Sequence, residues 1–195
     1  MNKNHPTERQ HQLIEMVRSS KELMATLLAV RELRLTSWCI GAGAIRSMVW
    51  DELHGYKNPT SLSDVDVVYF DASAEAERDK QLEMNLQLLM PGVSWEVTNQ
   101  AKIHHWFLSE LSQEVPPITS LSEGVATWPE YATCVGVALE DDDRITVISP
   151  FGLSDLFEMR LRHNPIRASK DVFLERVTKK KLLERWPLVS LIDER

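Results

Sequence analysis

Nine residues constrain this chain more than any others: Ser63-Asp64-Val65-Asp66-Val67-Val68-Tyr69-Phe70-Asp71. Their β-branched and aromatic content predicts a strand. Alternate residues of a strand face the same side, so Asp64 and Asp66 project together while Val65 and Val67 face the other way. Two like charges side by side on an otherwise apolar strand repel one another. Two arrangements relieve that conflict. The strand lies at an exposed edge with both aspartates solvated, or a divalent cation draws the carboxylates together. Hard cations such as Mg²⁺ take oxygen ligands, often one or two carboxylates plus the phosphates of a substrate. Asp-x-Asp alone does not choose between these.

The segment upstream adds a second feature. Ser37-Trp38-Cys39-Ile40 reads as a short buried strand running into Gly41-Ala42-Gly43-Ala44. Ile45, Met48, Val49, Trp50 and Leu53 then mark a helix ending near His54-Gly55, with Gly55 suited to a left-handed cap. A strand entering a glycine turn and then a helix brings backbone N–H groups and a positive helix end to one spot, which is a phosphate cradle. Arg46, one turn into the helix, could add charge to a phosphate. The plainer alternative is an ordinary strand-to-helix turn with a surface arginine. The turn is not a dinucleotide fingerprint, because the third glycine position is Arg46. It is not a P-loop either, because the Lys-Ser/Thr pair is missing.

Elsewhere the patterns predict helices over 8–18 and 20–33, each opened by a capping-box spacing (Thr7 with Gln10, Ser19 with Glu22). A further helix is expected over 72–89, and a strand at Trp95-Glu96-Val97-Thr98. Glu96 falls on the face opposite Trp95 and Val97. It is the best third carboxylate, although any polar residue on an alternating strand can simply face water. Asp71 is the weaker competitor, being five residues past Asp66. Asn99 to Leu108 reads as helix, and 112–133 as loop with a short helix. Cys134–Leu139 and Ile145–Ile148 read as a hairpin, Ser154 as a helix cap, and Lys170 to Trp186 as helix. The element order is that of an α+β or α/β mixture.

Composition excludes several classes. The chain has 195 residues, 43% apolar and 26% charged, in the range of an ordinary globular protein. Two cysteines, Cys39 and Cys134, support neither a disulfide framework nor a cysteine-rich zinc site. Cys39 lies in an apolar strand and is expected to be inert. No apolar run approaches the ~20 residues of a membrane span, and the polar N-terminus lacks a signal-peptide core, so a cytoplasmic setting is expected. The net charge of −7 is unevenly spread: +3 over 1–50, −14 over 51–155 and +4 over 156–195. Such a balance argues against strong non-specific nucleic-acid binding. The basic C-terminal residues Arg160, Arg162, Arg167, Arg176, Lys179, Lys180 and Lys181 read as a solvated helix face or as a lobe facing a polyanion. His54, His104 and His105 lack ligand spacing, and the six tryptophans are assigned to core or interface.

Taken together, the strand, the Gly-x-Gly turn, the helix with an early arginine and the Asp-x-Asp strand about twenty residues later resemble the nucleotidyltransferase superfamily of DNA polymerase β. Gly41-Ala-Gly-Ala-Ile-Arg46 looks most like the Gly-Gly-x-Val-Arg version of tRNA nucleotidyltransferases. The run from Trp38 to Asp71, with Trp95 to Ala101 and Pro150 to Phe157, is closer still to a bacterial family of nucleotidyltransferase-like proteins. The resemblance implies an α+β fold: a polymerase-β-like core with a small mixed sheet over 36–110, N-terminal helices over 1–35, and a C-terminal α/β lobe over 111–195, joined as one compact unit. It implies Mg²⁺ (or Mn²⁺) held by Asp64, Asp66 and Glu96, the same three serving catalysis. Gly41, Ala42, Gly43 and Arg46 would bind the nucleotide. The implied activity moves a nucleoside monophosphate from a nucleoside triphosphate to an acceptor hydroxyl that the sequence does not identify. The alternative is an inactive nucleotide-binding or partner-binding module of the same fold. One departure stands out: the serine that the superfamily often places in the glycine turn is absent, leaving backbone N–H groups to meet phosphate.

Overall fold

A computed structural model describes residues 7–60 and 64–192. Ser63, at the start of the expected Asp-x-Asp strand, lies outside the described residues, as does the polar N-terminus over 1–6. Two helices open the fold, α1 (Glu8–Ser19) and α2 (Lys21–Arg31). Thr7 and Gln10 form the predicted reciprocal capping box, and the Ser20 hydroxyl, not Ser19, caps α2 by accepting from the Leu23 N–H. Leu13, Val17, Leu27 and Val30 are fully buried against the rest of the core.

Next come β1 (Trp38–Gly41), α3 (Ala42–Leu53), β2 (Val65–Tyr69), α4 (Arg78–Leu89) and β3 (Trp95–Asn99). Then follow α5 (Ile103–Leu111), α6 (Leu121–Val125), β4 (Gly136–Leu139), β5 (Ile145–Ile148) and α7 (Ser154–Phe157). The last elements are β6 (Arg160–Arg162), α8 (Lys170–Lys179), α9 (Leu182–Arg185) and β7 (Ser190–Ile192). Five strands form a mixed sheet in the order β3-β2-β1-β4-β5. β2 and β3 are parallel, and the other neighbours are antiparallel. A parallel pair needs a crossover of a dozen or more residues, which α4 supplies.

One face of this sheet carries the main core. Ile40, Val67, Val97 and Val137 point into it, joined by α1, α2, α3 and the C-terminal helices. The opposite face is covered only in part, by a smaller cluster in which Leu121 and Val125 pack over Cys39, Val68 and Cys134. Asp51, near the end of α3, ties three segments together. It accepts from the Thr60 N–H and hydroxyl ahead of the Asp-x-Asp strand and from the Trp186 indole N–H after α9.

Several expected elements shift. The helix expected from residue 72 begins at Arg78, because Asp71 instead closes a turn by accepting from the Ser73 N–H and hydroxyl. Ser154 is the first residue of α7 rather than its cap. The helix expected over 170–186 breaks into α8 and α9 at Lys181, whose φ is +50°. β6 and β7 are absent from the sequence reading. They pair in parallel as a separate two-stranded sheet of three residues each.

Candidate active site

The register of the sheet assembles the site. Asp66 on β2 lies directly beside Glu96 on β3. The β1–β2 register pairs Ile40 with Val67; continued by one residue, it brings Gly41 opposite Asp66. On its other side Gly41 pairs with Gly136. Glu96, Asp66, Gly41 and Gly136 therefore form one row across four strands. Partners directly opposite in a sheet share a face, and this row lies on the face away from the main core. Val68, two residues beyond Asp66 on the same face, is buried under the smaller cluster. Asp66 is half-buried and Glu96 exposed, so the row runs out from under that cover toward solvent. Asp64 immediately precedes β2 and is half-buried.

The electrostatics follow from this crowding. Burial, then the neighbouring charges of Asp64 and Glu96, push the Asp66 carboxyl up to about 6 from its ordinary 3.8. The positive charges of Lys180 and Arg176 at the end of α8 oppose that rise. Among the described residues, no three His, Cys, Asp or Glu side chains are gathered as a ready-made metal cage. The donors beside Asp66 are all carboxylate oxygens, and their mutual repulsion is what a hard divalent cation relieves. This donor set suits Mg²⁺ or Mn²⁺ rather than a softer metal.

The glycine turn is built by close approach. A Cβ on Gly41 would meet the Trp128 ring at 2.5 and 2.8 Å, so the indole packs directly on the Gly41 backbone. Ala42 has a φ of +51°, a left-handed conformation costly for alanine. Its N–H is taken by the Val135 carbonyl at 3.2 Å. Gly41 caps α3 without a side-chain hydrogen bond. The N–H groups at the start of a helix have no intrahelical partner and present a positive end.

Arg46 lies elsewhere than on the turn's surface. It is 3% exposed. Its Nη1 donates to Glu130 Oε2 at 3.2 Å, and its guanidinium lies 5.4 and 5.3 Å from the ring centroids of Trp50 and Trp186. The sheet brings Asp66, Glu96 and Gly41 together and leaves Arg46 behind the turn. Asp71 is outside the row, occupied by Ser73 and by the Asn99 side chain, which donates to its backbone carbonyl. The sequence did not single out Glu130 or Trp128, and it offered Arg176 and Lys180 only within a run of seven basic residues, as a solvated helix face or a lobe facing a polyanion. For the pair, a signal existed: spacing i, i+4 on a basic helix puts two cations on one face. Glu130 and Trp128 lie in an irregular stretch with no periodicity to read.

A family profile described as Nucleotidyltransferase matches residues 28–191. Among solved structures, one titled "The NMR structure of the protein reveals a CCA-adding enzyme head domain" superposes with a TM-score of 0.78. It is 26% identical, over 94% of this chain and 96% of that one. The Thermotoga maritima CCA-adding enzyme complexed with tRNA matches with a TM-score of 0.54 at 15% identity, over 94% of this chain. A CCA-adding enzyme in complex with CTP matches with a TM-score of 0.53 at 15% identity, again over 94% of this chain. The chain spans 42% and 43% of those two enzymes. The α+β fold with its mixed five-stranded sheet is thus the fold of the CCA-adding enzyme head domain, in the polymerase-β superfamily. No curated protein sequence matches the chain.

Proposed function

The chain belongs to the nucleotidyltransferase family whose profile spans residues 28–191, and from that premise we propose that it is a metal-dependent enzyme. It moves a nucleoside monophosphate from a nucleoside triphosphate to an acceptor hydroxyl. The observation that carries this reading is the row in which Glu96, Asp66 and Gly41 adjoin across three neighbouring strands. Asp64, Asp66 and Glu96 would hold Mg²⁺ or Mn²⁺. Such an ion, when bound, would stabilise the phosphate charge that builds up during transfer.

The chain's own residues do the rest. The Gly43 N–H, at the start of α3, would meet the polyphosphate, since the Ala42 N–H is taken by the Val135 carbonyl. The acceptor oxygen forms a bond to the α-phosphorus, and the bond to the pyrophosphate oxygen breaks. The acceptor's proton goes to a carboxylate. Asp66 and Glu96, side by side in the row, are the carboxylates placed to take it. Positioning and electrostatics supply most of the acceleration in phosphoryl-type transfer. Among the described residues no helix is long and apolar enough to cross a membrane.

The second reading is a nucleotide-binding or partner-binding module of the same fold without catalysis. Thermal unfolding with each of the four nucleoside triphosphates, with and without Mg²⁺, separates the two. Stabilisation that requires the metal and disappears in Asp64→Asn and Asp66→Asn supports the enzyme. Stabilisation independent of metal supports the binding module. Labelled-nucleotide transfer to small molecules, RNA and protein then identifies the acceptor.

A further inference from the structure

Residues 126–130 run as an irregular strap between α6 and β4. Trp128 lies at its middle. Its indole sits on Gly41, where a Cβ would come within 2.5 Å of Cη2 and 2.8 Å of Cζ3. The same half-buried ring packs with the smaller cluster over Cys39 and Val68. It therefore ends that cover at the edge nearest the row of Gly41, Asp66 and Glu96. The strap is held by Asn164, which follows β6 and has no exposed surface. Its Nδ2 donates to the Ala126 carbonyl and to the Trp128 carbonyl, each at 2.7 Å. Its backbone N–H donates to the Pro129 carbonyl at 2.9 Å. Its Oδ1 accepts from the Ile166 N–H at 3.3 Å, so both ends of the amide are fixed. Beside it His163 bridges to Glu130, whose carboxylate pairs with Arg46 of α3. The strap is thus anchored on both sides of Trp128. The turn beneath it is one that needs support. Ala42 follows Gly41 at a φ of +51°, and no side chain caps α3. A residue in such a conformation persists only where its surroundings over-determine it.

We propose that Asn164 is a positioning residue for the transfer: it holds the strap so that the Trp128 indole pins the turn from β1 into α3 beside Asp66. The inference rests on the nucleotidyltransferase reading above and deepens it. Asn164 acts through Trp128, and Trp128 through Gly41. The chemistry demands an amide at this place, because two carbonyl oxygens need a nitrogen with two hydrogens between them. A carboxylate there would face both carbonyls as an acceptor against acceptors, a buried mismatch. The strap would lift, Ala42 would relax from its left-handed conformation, and the Gly43 N–H would lose its fixed place relative to the carboxylate row.

Two measurements on the full chain test this. The first is NMR of ¹⁵N-glycine-labelled protein, in which seven glycines give a sparse spectrum. Trp128→Leu removes the ring current on Gly41 and displaces its amide signal. Asn164→Asp should carry the Gly41 and Gly43 signals in the same direction and leave Gly55, Gly92 and Gly152 unmoved. The second is calorimetric titration with MgATP, well below the Tm of each variant. Asn164→Asp and Trp128→Leu are each expected to raise Kd about ten-fold, and together no further than either alone. Trp128→Phe, which keeps a ring over Gly41, should retain most of the affinity. Val17→Ala, a cavity in α1, should lower Tm and leave Kd unchanged. Should Asn164→Asp not fold, Asn164→Ser, which keeps a single donor, takes its place with the same expectations. A variant at Asn164 that lowers Tm while Kd and the Gly41 signal stay as in wild type is merely structural and overturns the proposal. An equal rise of Kd in Val17→Ala reduces the effect to general loosening and overturns it too. Normal wild-type binding with Trp128→Leu unchanged overturns this inference alone. Failure of the wild-type chain to bind MgATP overturns it together with the proposed function.

Discussion

Asp66 is the residue at which fold and chemistry meet, and its titration exposes the tension between them. Its folded carboxyl is raised from 3.8 to about 6, chiefly by burial and then by Asp64 and Glu96. A raised pKa means that the folded state binds more protons than the unfolded chain between those values, so stability falls as pH rises through that window. Without metal, in EDTA, Asp66 is therefore expected to subtract on the order of 1–2 kcal/mol at pH 7, after discounting for its partial exposure. Urea unfolding at pH 4 to 7 checks this: Asp66→Asn should be the more stable protein at pH 7 and lose most of that advantage near pH 4. An Asp66→Asn variant less stable than wild type at pH 7 would contradict it. The side-by-side aspartates and their likeness in charge were readable from the sequence, because period two fixes which residues share a face. That Glu96 stands beside Asp66, and not merely on the same face, depends on the parallel register of two strands joined through α4, which no local pattern reports.

At the level of elements, the junction from β1 into α3 shows what a sequence pattern can and cannot say. Gly41-Ala42-Gly43 reads as one glycine-rich turn, yet its two glycines have different reasons to be there. Gly41 is required by contact: a Cβ would lie 2.5 Å from the Trp128 ring and 3.0 Å from the Val135 carbonyl oxygen. Gly43 has open space, with only Arg46 Nη2 at 3.9 Å. Gly41→Ala is therefore expected to destabilise by about 1–3 kcal/mol through overpacking. Gly43→Ala should be neutral or add a few tenths of a kcal/mol by restricting the unfolded chain. Chemical denaturation of the two variants measures both, and a tolerated Gly41→Ala would show that Trp128 is not a fixed floor. The strands and helices around this junction were legible because hydrophobic period changes from two to 3.6 across it. The break at Lys181 was not, because lysine carries no helix-stop signal. It follows from the position of Trp186, which must reach Trp50, 5.4 Å away centroid to centroid, and donate to Asp51. Strands of three residues such as β6 and β7 are too short to show alternation.

Across the whole molecule, the uneven charge was visible in the sequence but its geometry was not. The acidic middle and basic C-terminal stretch are apart in the chain, and α8 brings them together: Glu130 from the acidic region sits buried between Arg46 and Arg176. The same interleaving bears on how the chain unfolds. One hydrophobic cluster runs from Leu13 to Val189. It takes residues from 1–35 (Val17, Val30), from 36–110 (Ile40, Val67) and from 111–195 (Val137, Trp186), so no segment holds a core of its own. The central sheet likewise needs β4 from the last segment to cover β1. A single cooperative transition is therefore expected, since splitting any segment away exposes the apolar surface of the others. Tryptophan fluorescence and far-UV circular dichroism should give coincident urea midpoints. Residues 36–110 expressed alone should fail to fold, because β1 loses β4 and Arg46 loses Glu130, leaving a buried guanidinium without its counter-charge. Separate midpoints for the two probes, or a folded 36–110 fragment, would instead make the core an independent domain and the C-terminal helices a movable lobe.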